Sequence, residues 1–432
     1  MNKRIIHVPR RFTADEWGGT ETVIAELVAQ QRSQGWQPEI HTSLALNRTR
    51  SETWRQIPIR RYSYCYPFFG LSEKEKQRLD KKGGNLLSLP LFFSLLAARN
   101  VRLFHAHSLK RLGGAVFTVA RMRRKPFIVT LHGGVFDVPE SESSEMTEAQ
   151  AGKVEWGRVF GALFRSRRIL ELADAVICIG RSEFDSARRK LGHDRVHHLG
   201  NGVDAARFAS GDGAAFRQTH AIPSNAVVLA CYSRFDPQKD QLSLIEAFDM
   251  LAPGHAELHL VLAGPCTVVD YLERLDRRIA ASPFAARIRR LGAIDSAGGA
   301  LPDAYAGADI FALPSRHEPF GIVVLEAWSA GKPVVASQVG GLRDLIVEGE
   351  TGLSFPVGDA PALARQIQEL VESHDLRERL GAAGRELARE QFSWRKIAEE
   401  TERIYQAAEA RRRGVGNDSE VKGIVTQSEA IP

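Results

Sequence analysis

Short runs of apolar residues, rich in Val and Ile, alternate along the chain with longer stretches in which apolar positions recur every three or four residues. The runs read as strands and the stretches as helices. Strands are expected at residues 4–8, 39–43, 103–107, 127–131, 175–179 and 196–199. A second series is expected at 226–232, 257–263, 288–291, 310–313, 333–336 and 352–355. Strands that alternate with helices build parallel sheets covered by helices on both faces. A dozen strands exceed what one such sheet usually holds, so the pattern implies two Rossmann-like domains, 1–205 and 206–393. A stretch rich in small residues at 204–224 reads as the loop between them. Residues 392–413 read as a helix, while residues 414–432 show no periodicity and read as a disordered tail.

Composition narrows the class. The chain has 432 residues, 44% hydrophobic and 25% charged, as soluble globular proteins do, which excludes disordered and fibrous classes. The longest apolar run, 86–98, is interrupted by Pro90 and is short of the roughly 20 residues a membrane span needs. The N-terminus lacks the apolar core of a signal peptide, so a cytoplasmic location is expected. Cys65, Cys178, Cys231 and Cys266 are isolated, which fits buried thiols in a reducing compartment and no zinc site.

Charge is uneven: residues 1–205 carry a formal +12 and the remainder −6. A basic first half suits an anionic partner such as a membrane surface, a phosphorylated lipid or an acidic glycan, though ordinary solvated surface explains it equally. Nucleic acid is not expected, because no recognition module appears. Between Tyr62 and Ala98, aromatic residues flank a charged stretch. That is compatible with an interfacial membrane anchor or with core packing.

Four groups of residues carry candidate chemistry. Gly18 and Gly19 open a helix after the first strand, where backbone N–H groups and a positive dipole end suit phosphate. No G-x-G-x-x-G follows a strand, which counts against a nicotinamide or flavin enzyme. His105, His107 and His132 stand at strand ends, where parallel sheets bind ligands. His105 is expected to be structural and to point away from His107, and His132, followed by two glycines, is the stronger candidate. Arg234 and Lys239 lie on a loop entering a helix and suit a diphosphate. The run SRHEPFGIVVLEAWSAGKPVVAS reads strand, loop, helix, strand. It places Glu318 in the loop, Gly321 at the helix N-terminus and Glu326 two turns on. Two carboxylates so spaced can accept hydrogen bonds from a hexose and a ribose, with a diphosphate between them.

With these motifs the chain resembles the retaining glycosyltransferases of family 4, which have the GT-B fold of two Rossmann-like domains facing each other across a cleft. The resemblance runs through GGTE (Gly18–Glu21), HAHS (His105–Ser108), TLHGG (Thr130–Gly134), NGVD (Asn201–Asp204), SRFDPQKD (Ser233–Asp240), AGP (Ala263–Pro265), the 305–337 run and GGLRDLIVEGETGL (Gly340–Leu353). It implies a hexosyltransferase that moves a sugar from a nucleotide diphosphate donor to a glycan or lipid-linked acceptor, in polysaccharide or glycolipid synthesis. A non-catalytic nucleotide-sugar-binding subunit is the alternative.

On this resemblance Gly18 and Gly19 would meet the donor, and Arg234 and Lys239 would neutralise the leaving diphosphate. Glu318 would hold the transferred sugar and Glu326 the ribose. Phe320, Gly321 and Ile322 would give backbone contacts, His132 would lie near the anomeric centre, and His107 is a candidate acceptor contact. Asp204 would lie at the interdomain hinge, and the helix from about Trp394 would cross back to the first domain. No metal or other cofactor is expected, domain closure would exclude water, and peripheral membrane contact would run through the basic first domain. Two departures stand out: Asp240 replaces the usual glycine after Lys239, and basic Arg102 stands where an acid is common.

Overall fold

The structure is a computed structural model that describes residues 3–13, 18–136, 153–296 and 298–413. The expected tail at 414–432 lies outside the described residues. The chain divides into two compact units: one runs to Gly200 and resumes at Ile397, the other spans Asn201–Lys396.

The first unit is built on an eight-stranded sheet. Its strands are β1 (Arg4–Val8), β2 (Gln37–Ser43), β3 (Ser51–Trp54), β4 (Ile57–Tyr62), β5 (Val101–Ala106), β6 (Phe127–Leu131), β7 (Ala175–Cys178) and β8 (Val196–His198). They are ordered β3-β4-β2-β1-β5-β6-β7-β8, and every neighbouring pair is parallel except β3 with β4. The central strands are buried on both faces, as their continuous Val, Ile and Leu runs require.

The β3–β4 hairpin is absent from the sequence expectation. Ser51–Trp54 is exposed and polar, and Pro58, Arg60 and Arg61 interrupt the apolar pattern of β4. Arg55 and Gln56, both at positive φ, make the turn without the Asn-Gly pair that usually marks one.

The helix Trp394–Arg413 returns to this sheet from Ile397 onward. Arg102 pairs with Glu402 at 2.9 Å and Glu409 at 2.6 Å on that helix and stacks over the Trp36 ring, while Arg412 pairs with Asp174. The unusual base at position 102 is therefore an anchor for the last helix. In the aromatic segment, helix Leu89–Ala97 buries Leu91 and Leu95, and Tyr64 and Tyr66 both donate to the Asp80 carboxylate. Core packing accounts for most of the segment, and Phe69 and Phe93 remain more than 60% exposed.

The second unit has six strands: β9 (Val227–Tyr232), β10 (Leu258–Ala263), β11 (Ile288–Leu291), β12 (Ile310–Leu313), β13 (Val334–Ser337) and β14 (Leu353–Phe355). They form one all-parallel sheet in the order β11-β10-β9-β12-β13-β14, the doubly wound arrangement. The 204–224 stretch is not a loop. It folds into helices Ala205–Ala209 and Gly213–Thr219, whose N-termini are capped by Asp204 and Asp212. Small residues lowered the apolar signal, but Asp at each cap supplies the start. Among the described residues no helix is long and apolar enough to cross a membrane.

Candidate active site

The second sheet reverses its strand order between β9 and β12, and open parallel sheets bind ligands beyond the carboxyl ends of strands at such a point. Arg234 lies two residues past β9, and Lys239 ends the 3-10 turn Pro237–Lys239. The loop is tightly held. The buried Gln241 amide donates to Ser233 Oγ at 2.9 Å and to the Arg234 carbonyl at 2.8 Å. Gly264 has φ +155°, and a Cβ there would stand 1.9 Å from the Ser233 carbonyl oxygen, so the two turns pack backbone to backbone.

Asp240 adopts a left-handed conformation, φ +47°, which explains why glycine suits this place. Its carboxylate accepts from Ser243 Oγ at 2.8 Å and pairs with Arg316 at 2.9 Å. The acid beside the candidate phosphate loop is thus already compensated. Among the described residues the exposed Arg234 guanidinium pairs with no carboxylate, and it is free to meet an anion.

Glu318 follows β12, and its buried carboxylate lies 2.5 Å from Lys239 Nζ. Its main chain is held from the opposite side. The Gly341 N–H donates to the Glu318 carbonyl at 2.9 Å, and a Cβ on Gly340, at φ +49°, would stand 2.1 Å from that same oxygen. Gly321, at φ +103°, turns the chain into helix Ile322–Ser329. The first N–H groups of that helix lack intrahelical acceptors and present a positive dipole end. Phe320 is buried and packs on Phe392 with ring centroids 6.2 Å apart.

Glu326 lies about one turn along the helix, not the two expected, because the helix starts only at Ile322, and it accepts from Tyr305 OH at 2.7 Å. Burial pushes its carboxyl up to about 7, opposed by the Tyr305 hydrogen bond and by Arg207. The group therefore sits at the edge of ionisation near neutral pH. Ligand hydroxyls donating to it would favour the charged form.

In the first unit Gly18 and Gly19 begin helix Gly19–Ser33, and residues 14–17 before them lie outside the described residues. The Gly18 N–H donates to Glu21 Oε2 at 3.2 Å, and Glu21 lies 3.4 Å from Arg11. His107 and His132 follow β5 and β6, with His107 Nδ1 3.0 Å from His132 Nε2. Gly18 and Gly19 bond to neither histidine. The expectation that His105 points away from His107 is wrong. Residues two apart on a strand share a face, and the two ring centroids are 4.2 Å apart.

The structure thus brings Lys239 and Glu318 into contact, with Phe320, Gly321, Ile322 and Glu326 on the following loop and helix and Arg234 on the adjoining turn. His107 and His132 are joined in the other unit. Sequence reasoning assigned no role to Tyr305, Gln241 or Gly340. Tyr305 and Gly340 fall in stretches that carried the resemblance (YAGAD and GGLRD), but no spacing rule links them to the glutamates they support.

Two family descriptions match the chain, Glycosyltransferase Family 4 over residues 17–207 and Glycosyl transferases group 1 over residues 212–387. The chain belongs to this glycosyltransferase family. A glycogen synthase of Mycobacterium tuberculosis is 30% identical over 283 residues, 63% of this chain, and the match spans 64% of that protein, just under two thirds of its length. A GDP-mannose-dependent monoacylated alpha-(1-6)-phosphatidylinositol monomannoside mannosyltransferase of Corynebacterium glutamicum is 29% identical over 61% of this chain and 70% of its own. The solved structure of Anabaena Alr3699/HepE in complex with UDP superposes with a TM-score of 0.71 at 20% identity, covering 94% of this chain and all of the other. The fold is that of GT-B glycosyltransferases.

Two consequences are measurable. Gly340→Ala forces a side chain into left-handed backbone against the Glu318 carbonyl and is expected to cost about 1–3 kcal/mol, read as a lowered thermal midpoint. A midpoint equal to the parent's would show that the contact is dispensable. Because the Glu326 carboxyl is raised from its ordinary value to about 7, its ionisation opposes folding above the unfolded value. Glu326→Gln is therefore expected to melt higher than the parent at pH 8, with the difference shrinking towards pH 5. A difference that grows on acidification would contradict the assignment.

Proposed function

We propose that the protein transfers a hexose from a nucleoside diphosphate sugar to a hydroxyl of a glycan or lipid-linked acceptor, with retention of anomeric configuration. The observation that carries this reading is the Lys239–Glu318 pair at the N-terminal end of helix Ile322–Ser329, with Glu326 about one turn along it. A donor would exchange that pair for two better-matched partners, placing phosphate on Lys239 and a sugar hydroxyl on Glu318. Arg234 and the helix N–H groups would share the phosphate charge, and Glu326 would accept from the ribose.

In the reaction the bond from the anomeric carbon to the phosphate oxygen breaks, and the acceptor oxygen bonds on the same face. The acceptor proton passes to the leaving phosphate. No carboxylate is assigned as a nucleophile, so the protein acts by orienting the sugar and stabilising leaving-group charge. The cations on Arg234 and Lys239 supply what a divalent ion would otherwise supply, and we read the reaction as independent of metal. His132, His107 and the glycines at 18 and 19 are assigned to the sugar or acceptor by family resemblance.

The relatives are named for different substrates, so neither base nor sugar follows from them. A lipid-linked acceptor at a membrane face is supported by exposed apolar side chains on the first unit. Phe69 and Trp156 have ring centroids 6.4 Å apart, Phe93, Val159 and Leu163 are exposed as well, and Arg158 and Arg168 are exposed nearby in the chain. Binding to vesicles containing anionic lipid is expected to fall in the double variant Phe69→Ser/Phe93→Ser. Unchanged binding would remove that support.

The deciding experiment incubates the protein with UDP-, GDP-, ADP- and dTDP-sugars, with and without EDTA, and follows donor hydrolysis and transfer. One donor is expected to turn over regardless of EDTA. Glu318→Gln and Lys239→Met should each lose at least about 10²-fold while keeping native circular dichroism. Full activity in both variants would contradict the site. Donor binding without turnover by any acceptor class would favour a nucleotide-sugar-binding subunit instead.

A further inference from the structure

Beneath the histidines at the strand ends lies a continuous line of hydrogen bonds that the reaction as described does not use. It begins at Gln31 on helix Gly19–Ser33, whose Oε1 is 2.8 Å from His7 Nε2. His7 Nδ1 is 3.0 Å from His107 Nε2, and His107 Nδ1 is 3.0 Å from His132 Nε2. The line stops there. His132 Nδ1 is buried and has no hydrogen-bond partner among the described residues.

The direction of this line follows from the orientation of the Gln31 amide, whose Oε1 faces His7 and whose Nε2 faces Tyr405. Burial depresses all three imidazoles, His7 and His132 to about 4 and His107 well below its ordinary value. Each ring is therefore neutral near pH 7, with one N–H and one lone pair. A carbonyl oxygen only accepts, so Gln31 Oε1 requires the hydrogen on His7 Nε2. His7 Nδ1 must then accept from His107 Nε2, and His107 Nδ1 must accept from His132 Nε2. His132 is left with a bare Nδ1.

Gln31 itself is held by its other end. Its Nε2 donates to Tyr405 OH at 3.2 Å, and Tyr405 passes a hydrogen to His105 Nδ1 at 2.6 Å. His105 Nε2 then donates to Thr130 Oγ1 at 2.7 Å. Both nitrogens of His7, His105 and His107 are thereby engaged. These three form a closed hydrogen-bond network, although their nitrogens lie close enough together to suggest a metal site. Exchanging the two ends of the Gln31 amide would reverse every bond in the line and put a hydrogen on His132 Nδ1.

We propose that Gln31 is a positioning residue that sets, through His7 and His107, which nitrogen of His132 carries the hydrogen, so that His132 offers a bare Nδ1 to a ligand hydroxyl. A sugar hydroxyl as that donor rests on the proposed function. The tautomer line does not, because it is complete within the first unit. Buried networks of this kind are worth their cost only when every member but the one aimed at a ligand is satisfied, as here.

The test reads tautomers directly. In protein carrying 15N-histidine, long-range 1H–15N correlation spectra, assigned by single His→Gln variants, are expected to show His7, His107 and His132 each protonated on Nε2. Gln31→Met removes the accepting oxygen, and mixed tautomers are expected at His132, with circular dichroism unchanged. His132 protonated on Nδ1 in the parent, or a His132 tautomer indifferent to Gln31→Met, would overturn the proposal. Should Gln31→Met fail to fold, Gln31→Glu keeps the question open to decision. Its carboxylate accepts from His7 as the amide oxygen does and should preserve the parent tautomers, whereas Nδ1–H at His132 there would overturn the proposal.

Donor turnover in Gln31→Met is expected to fall about tenfold, the worth of one hydrogen bond, with nucleoside diphosphate affinity unchanged. Undiminished turnover would also overturn it. UDP, GDP and ADP binding to the parent separately tests the donor reading, and its failure would leave the spectra to decide the tautomer line alone.

Discussion

The carbonyl oxygen of Glu318 is the point on which the second unit's site depends. It receives the Gly341 N–H, and it fills the space where any side chain at Gly340 would stand. That close approach fixes the loop after β12, and with it the Glu318 carboxylate, the turn at Gly321 and the entry of helix Ile322–Ser329. A site built to orient a small anionic ligand needs such rigidity, since a displacement of about 1 Å in a positioning group can cost two orders of magnitude in rate. The candidate phosphate loop after β9 is held in the same manner, by the backbone contact at Gly264 and the two bonds from Gln241.

Electrostatics follow from this geometry. Before a ligand arrives, each buried charge has a partner: Glu318 has Lys239, and Asp240 has Arg316. Unpaired buried charge would be costly, so the pairs hold the site together, and in the proposed reaction phosphate and hydroxyls would take their place at Lys239 and Glu318. Glu326 is handled differently. Burial raises its carboxyl, and the Tyr305 hydroxyl only partly offsets this, which leaves a group able to gain charge when ligand hydroxyls donate to it. In the first unit the opposite choice is made. The histidines are kept neutral, and order comes from the direction of their hydrogen bonds.

The periodic elements were legible because burial on both faces of a parallel sheet leaves an unmistakable apolar run. All twelve expected strands are present, and Arg4–Val8, Phe127–Leu131, Ile288–Leu291 and Ile310–Leu313 have the expected bounds. The β3–β4 hairpin escaped because its exposed edge carries polar residues and its turn uses Arg-Gln. The candidate site was legible as residue types, since Arg234, Lys239, Glu318 and Glu326 stand at strand and helix ends where such groups bind phosphate and hydroxyls. Their supports were not. Tyr305, Gly340 and Gln31 act by contacts between segments more than twenty residues apart in the chain, and local spacing holds no record of those. Gln241 reaches back only seven and eight residues, across a turn that no motif describes. His105 shows a simpler failing, for a period of two places it beside His107.

The most direct test is calorimetric titration of UDP, GDP, ADP and dTDP into the protein near pH 7, in two buffers of different ionisation enthalpy. If Glu326 binds the ribose as a carboxylate, one nucleotide will bind with release of close to half a proton or more, and Glu326→Gln will weaken binding and abolish the release. Binding with no proton released, and with full affinity in Glu326→Gln, would contradict the account.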